Sequence, residues 1–120
     1  MGILIVDDAV FVRADISRKL KQNDFTVLGE AGDGLEAIEK YQELKPSVVL
    51  MDITMPKMDG VTAIKEIKKI DPNAKIIVCS AMGQESFVMK AIQAGAKSYI
   101  IKPYKTERLI EEIIKVQLHQ

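Results

Sequence analysis

The chain has 120 residues, 48% apolar and 28% charged, and its 17 basic and 17 acidic side chains cancel. That length supports one domain with its own core, expected to span residues 1–120, and the even charge argues against a nucleic-acid or membrane-binding surface. No apolar stretch approaches the ~18–20 residues that cross a bilayer, the apolar start meets Asp7-Asp8 without a basic flank and so is no signal peptide, and a lone Cys79 excludes a disulfide framework; the expectation is a cytoplasmic protein.

Short apolar runs alternate with longer stretches of helical period. The first run, residues 3–6, ends on Asp7-Asp8 and leads to a helix over residues 9–22. Val12, Ile16 and Leu20 form its apolar stripe, with Arg13, Arg18 and Lys19 on the remaining face. Residues 25–31 predict a second strand; Gly29 and Glu30 mark it as an edge. After a Gly32-Asp33-Gly34 turn, residues 35–44 predict a helix burying Leu35, Ile38 and Tyr41. The third strand, residues 48–51, runs into Asp52 and a loop through Gly60. A third helix follows over 61–70, with Ile64 and Ile67 inward, and Asp71-Pro72-Asn73 breaks it. Residues 75–79 predict the fourth strand, which runs into Ser80, and 84–94 the fourth helix, stopped by Gly95. Residues 97–101 predict the fifth strand, running into Lys102-Pro103, and 106–118 the last helix, with Leu109, Ile113 and Val116 on one stripe.

Five strands alternating with five helices predict an α/β fold: a five-stranded parallel doubly wound sheet of flavodoxin type, (βα)5, in strand order 2-1-3-4-5. Ligands of such sheets bind beyond the carboxyl ends of the strands, where Asp7, Asp8, Asp52, Ser80 and Lys102 would gather. Three carboxylates repel: two unit charges ~4 Å apart cost roughly 4 kcal/mol at an effective dielectric of 20. A divalent cation offsets this, and an all-oxygen donor set suits magnesium better than zinc. With Lys102 as a mobile cation and Ser80 as a hydroxyl, these parts suit phosphoryl transfer to a carboxylate. Asp52, alone at the tip of a central strand, is the better acceptor, and Asp7 and Asp8 hold the metal.

Asp7-Asp8, Asp52, Ser80, Lys102-Pro103 and the loop from Asp52 to Gly60 together resemble the receiver domain of two-component response regulators, over the whole chain. Without an output domain the chain is similar to a stand-alone receiver of the chemotaxis CheY type. The resemblance implies that a histidine kinase, the chemotaxis kinase first among them, phosphorylates Asp52. It implies that Asp8, Asp52 and the Thr54 backbone carbonyl ligate Mg2+ with Asp7 helping through water, and that Lys102 pairs with the phosphoryl group. Ser80 would swing to hydrogen-bond that group, with help from the Ala81 N–H. Tyr99 matches the aromatic whose rotamer follows Ser80, and the Lys102-Pro103 bond would be cis. The implied output is a change in the face of helix four, strand five and helix five, covering residues 84–93, Tyr99 and residues 102–114. The implied partners are a bacterial or archaeal motor switch or adaptor protein and a phosphatase, with the chain itself a monomer. Ser80 where Thr is common, and Thr54 and Met82 two residues beyond key positions, bear on phosphoryl lifetime.

Plainer roles exist for each residue. Asp8 could cap the first helix and Ser80 the fourth; Lys102 could be solvated; Tyr99 could pack with its hydroxyl in water; Cys79 is read as a small core hydrophobe. Met55 and Met58 fill gaps in their loop, Glu111-Glu112 and Lys65, Lys68 and Lys69 are read as solvated faces, and His119 lies in the tail. Competing functions are a phosphorelay intermediate, a receiver excised from a larger regulator, and a metal-dependent phosphatase using an aspartyl-phosphate, whose second aspartate would fall where Thr54 stands. A nucleotide or flavin binder lacks both P-loop and G-x-G-x-x-G patterns.

Overall fold

The structure, a computed structural model, describes residues 2–53, 55 and 58–118. In chain order the elements are β1 (Ile3–Val6), α1 (Val10–Gln22), β2 (Val27–Ala31), α2 (Gly34–Leu44), β3 (Val48–Asp52), α3 (Gly60–Ile70), β4 (Ile76–Ala81), α4 (Glu85–Ala94), β5 (Ser98–Lys102) and α5 (Thr106–Leu118). The strands are parallel in the order β2-β1-β3-β4-β5, as the sequence pattern predicts.

Alternate strand residues feed two separate cores. Leu4, Val6, Val49, Met51, Ile76 and Val78 meet Ala37, Tyr41, Ala63, Ile64, Ile67, Val88 and Ala91 of α2, α3 and α4. Ile3, Ile5, Val48, Leu50, Ile77 and Ile100 meet Ile16, Leu20, Leu109, Ile113 and Val116 of α1 and α5. The central strands read as unbroken apolar runs because both of their faces are covered. Burying each such side chain is worth about 1.5–3 kcal/mol.

Local chemistry sets the helix ends. Asp33 and Asp59 cap α2 and α3 by accepting the N–H groups of Glu36 and Thr62. Gly95 ends α4 at φ +119°, a backbone that L side chains rarely adopt. Tyr41 is buried and its hydroxyl donates to Asp71 at 2.7 Å, tying α2 to the end of α3.

Several boundaries differ from expectation. β4 continues through Ser80 to Ala81, and β3 and β5 include Asp52 and Lys102, because ladder pairing carries each strand past its apolar run. Leu35 is exposed (49%): with α2 starting at Gly34, the buried stripe falls on Ala37 and Tyr41. Glu112 is not on a solvated face. It is buried (6%) and accepts hydrogen bonds from Ser98 of β5 and Arg108 of α5. Burial pushes the Glu112 carboxyl up, but these two donors outweigh it and hold the carboxyl below its ordinary value.

A carboxyl held low in the folded state favours the ionised form there. Its stabilising contribution is present above the ordinary glutamate value and is lost as pH falls through the folded value. Glu112→Gln is therefore expected to flatten the acid limb of the stability–pH profile below about pH 4.5 while costing stability at neutral pH. Urea unfolding between pH 3 and 7 measures both effects.

Candidate functional site

Four strand ends make the site. β1 and β3 are neighbours, paired from Ile3↔Val48 to Val6↔Met51, so the residues that follow, Asp7 and Asp52, emerge side by side. One carboxylate oxygen from each of Asp7, Asp8 and Asp52 can be chosen so that all three lie within 4.8 Å of one another. Across β4, Asp52 aligns with Cys79 and Ala81 with Lys102, which brings Ser80 and Lys102 to the same edge.

Asp7 is buried and held from several sides. Its N–H donates to Ala31 of β2 at 3.0 Å, its Oδ1 accepts the Ala9 N–H at 2.9 Å, and its Oδ2 lies 3.4 Å from Lys102 Nζ. Asp8 is exposed and Asp52 half-buried. The N-cap of α1 is Ala9, which makes no side-chain cap bond, so Asp8 is not the helix cap that its position suggested; Asp7 takes the Ala9 N–H instead.

Lys102 is not merely solvated. Burial pulls its ammonium down, but Asp52, Asp7 and the hydrogen bond to Asp7 together raise it, so it is charged throughout the physiological range. Cys79 is buried, and burial pushes its thiol up to about 12, which keeps it a protonated core side chain.

Ser80 lies within β4 and is fully buried, five residues before α4 begins, so it does not cap that helix. Its Oγ is, among the described residues, the one buried side-chain polar atom without a hydrogen-bond partner. A buried hydroxyl left unsatisfied costs about 1–3 kcal/mol. Tyr99 stands on the edge strand β5, exposed (47%). The Lys102-Pro103 peptide bond is cis. The Thr54 carbonyl lies outside the described residues.

The loop leaving β3 is folded back on itself. Gly60 N donates to Ile53 O at 2.8 Å, and a Cβ at Gly60 would lie 2.5 Å from Asp52 O and 2.8 Å from Ile53 Cα. Only glycine admits that approach, and it fixes the backbone of Asp52. One site contact was missed from sequence. Arg13, which the sequence places only outside the apolar stripe of the first helix, bonds Glu30 and the Asp7 carbonyl; a flexible side chain crossing between elements leaves no periodic signal.

Residues 3–114 match the response regulator receiver domain family. The chain belongs to that family. It is 58% identical to chemotaxis protein CheY of Thermotoga maritima over 114 residues, 95% of each chain, and 58% identical to chemotaxis protein CheY of Bacillus subtilis, covering 94% of each. In structure it is similar to the CheX-CheY-BeF3-Mg2+ complex from Borrelia burgdorferi, with a TM-score of 0.92 at 36% identity, over 99% of this chain and 90% of that one. The receiver is a two-component chemotaxis response regulator, a signalling domain rather than a conventional enzyme. The metal-dependent phosphatase and the nucleotide-binder readings fall with this assignment. Among the described residues no helix is long and apolar enough to cross a membrane.

Gly60→Ala is expected to destabilise the receiver by about 1–3 kcal/mol, because the added methyl meets backbone rather than a yielding side chain. Denaturant unfolding at neutral pH measures the loss.

Proposed function

We propose that Asp52 accepts a phosphoryl group from a histidine kinase in a Mg2+-dependent reaction, and that the acyl phosphate changes the α4–β5–α5 face to recruit a flagellar motor switch protein. The single observation that carries this reading is the convergence of Asp7, Asp8 and Asp52 within 4.8 Å at the edge where Lys102 arrives. The all-oxygen donor set fits magnesium, and Asp8 and Asp52, with Asp7 acting through water, are the side chains that would hold it. The ion supplies charge neutralisation at the phosphoryl oxygens. The CheY of the Borrelia complex was captured with BeF3 and Mg2+, which supports the same ligand classes here.

Each side chain has a task. Asp7 is anchored through Ala9 and Lys102, and Asp8 stands out in solvent. Asp52 ends the central strand beside them and is the nucleophile. Its carboxylate oxygen bonds to phosphorus as the phosphorus–nitrogen bond of the phosphohistidine breaks. Lys102, kept charged by its carboxylate neighbours, leaves Asp7 to pair with the phosphoryl oxygens. The buried Ser80 hydroxyl donates its unused hydrogen bond to the same group, from a position on β4 with the Ala81 N–H next in the chain.

The output follows from packing. Ser80 and Tyr99 stand on adjacent strands, and a shift of Ser80 opens space for the Tyr99 ring. Phosphorylation moves the population only as far as the new contacts favour one packing. Met89 and Ile92, on one flank of the buried Val88/Ala91 stripe of α4, and Tyr99 of β5 are exposed apolar side chains that a partner helix could cover. A CheX-type phosphatase that returns the carboxylate is a second partner, by analogy with the Borrelia complex.

Incubation with magnesium and acetyl phosphate, followed by intact mass measurement, tests the reading. The expected result is a gain of one phosphoryl group that is lost with chelator and absent in Asp52→Asn, which keeps the fold. Asp8→Ala is expected to weaken magnesium binding more than Lys102→Ala, whereas Lys102→Ala uncouples phosphorylation from the surface change. Labelling of Asp52→Asn, or equal loss of magnesium affinity in both alanine variants, contradicts these roles.

A further inference from the structure

Arg13 sits in the first turns of α1 with its side chain only 14% exposed. Its Nη1 donates to the Asp7 carbonyl at 2.5 Å and its Nε to Glu30 Oε1 on β2 at 3.1 Å. A cation this close to a helix N-terminus opposes the helix dipole, so the placement calls for a compensating interaction. The two contacts supply one, because a guanidinium presents several donors in a rigid fork and can hold two acceptors at once.

The Asp7 carbonyl belongs to the peptide plane that joins Asp7 to Asp8. The same Asp7 donates its N–H to Ala31, the neighbour of Glu30 on β2. β2 thus grips Asp7 at both ends of its backbone, directly through Ala31 and through the Arg13 bridge to Glu30. The bridge also has room made for it: a Cβ at Gly32 would lie 3.3 Å from Nη1. Rotation of the Asp7–Asp8 peptide plane would swing the Asp8 carboxylate, which is exposed and has no burial to hold it, away from Asp7 and Asp52.

We infer that Arg13, bridged to Glu30, is a positioning residue that sets the Asp7–Asp8 peptide plane and thereby the magnesium affinity of the acidic cluster. This rests on the magnesium reading given above. Arg13 touches neither metal nor phosphoryl group; it acts through the backbone that carries two carboxylates. Groups that orient metal ligands without binding the metal typically cost 10–100-fold in affinity when changed.

The test is a calorimetric titration of the protein with magnesium chloride alone, repeated with Arg13→Lys, Glu30→Ala and Asp8→Ala. Arg13→Lys keeps the charge but cannot span both acceptors, and is expected to bind magnesium about 10-fold more weakly. Glu30→Ala lies at a partly exposed position and is expected to lose affinity in the same direction by a smaller factor. In the acetyl phosphate reaction, the magnesium concentration at half-maximal rate should rise by the factor seen in calorimetry for Arg13→Lys, with a smaller change in the plateau. Wild-type affinity in Arg13→Lys, even with lowered thermal stability, overturns the inference, since a purely structural brace would lower stability alone. Should Arg13→Lys fail to fold, unchanged affinity in Glu30→Ala overturns it equally. No magnesium uptake by the wild type, or none lost in Asp8→Ala, defeats the metal reading itself and the inference with it.

Discussion

Holding three carboxylates within 4.8 Å of one another is the constraint on which the rest of this receiver depends. Left uncompensated, such a cluster costs several kcal/mol, a large fraction of the ~5–15 kcal/mol by which a domain is stable. The fold meets the cost in layers. Asp7 is buried but bonded by the Ala9 amide and reached by Lys102, Asp52 shares the attraction of Lys102, and Asp8 stands in water. The charge that remains uncompensated is gathered at the carboxyl edge of the sheet, beside Lys102.

Two of the three carboxylates stand on backbone that the sheet holds. Asp7 follows β1 and Asp52 ends β3, adjacent strands whose apolar side chains are buried on both faces. The loop after Asp52 is closed by Gly60 against Ile53, and Asp59 caps the helix that begins there. Lys102 and Ser80 differ from this frame. Lys102 reaches its carboxylate partner at a long 3.4 Å, and the Ser80 hydroxyl is buried with its hydrogen bond unmade. An acidic cradle faced by two side chains that can still form better contacts is the arrangement a phosphoryl-driven switch needs, since a new ligand biases an equilibrium only by interactions it makes in one state and not in the other.

Much of this could be read from the chain. The unbroken apolar runs at residues 3–6, 48–51 and 76–79 mark strands covered on both faces, and their alternation with helical stretches leads to one parallel topology. Because such sheets present ligands at the carboxyl ends of strands, Asp7, Asp8, Asp52, Ser80 and Lys102 could be gathered into one site before any coordinate was known. Residue type and periodicity are local properties of sequence, and the right-handedness of crossovers carries them to a strand order.

What the sequence could not convey depends on contacts between elements distant in the chain. Glu112 reads as a charge on a polar helix face, yet it is buried because Ser98, fourteen residues earlier, and Arg108 offer it hydrogen bonds. Arg13 falls outside the apolar stripe of its helix, yet its reach across to β2 makes it part of the support of Asp7. Leu35 reads as core and is exposed, because the face that packs on the sheet carries Gly34, Ala37, Ile38 and Tyr41, and Leu35 lies beside that stripe. The sequence by itself determined the sheet, its strand order and the chemistry at its edge, since those follow from periodicity and residue type. Only the tertiary structure decided which long polar side chains are held inside, because that choice depends on partners that packing brings within hydrogen-bond reach.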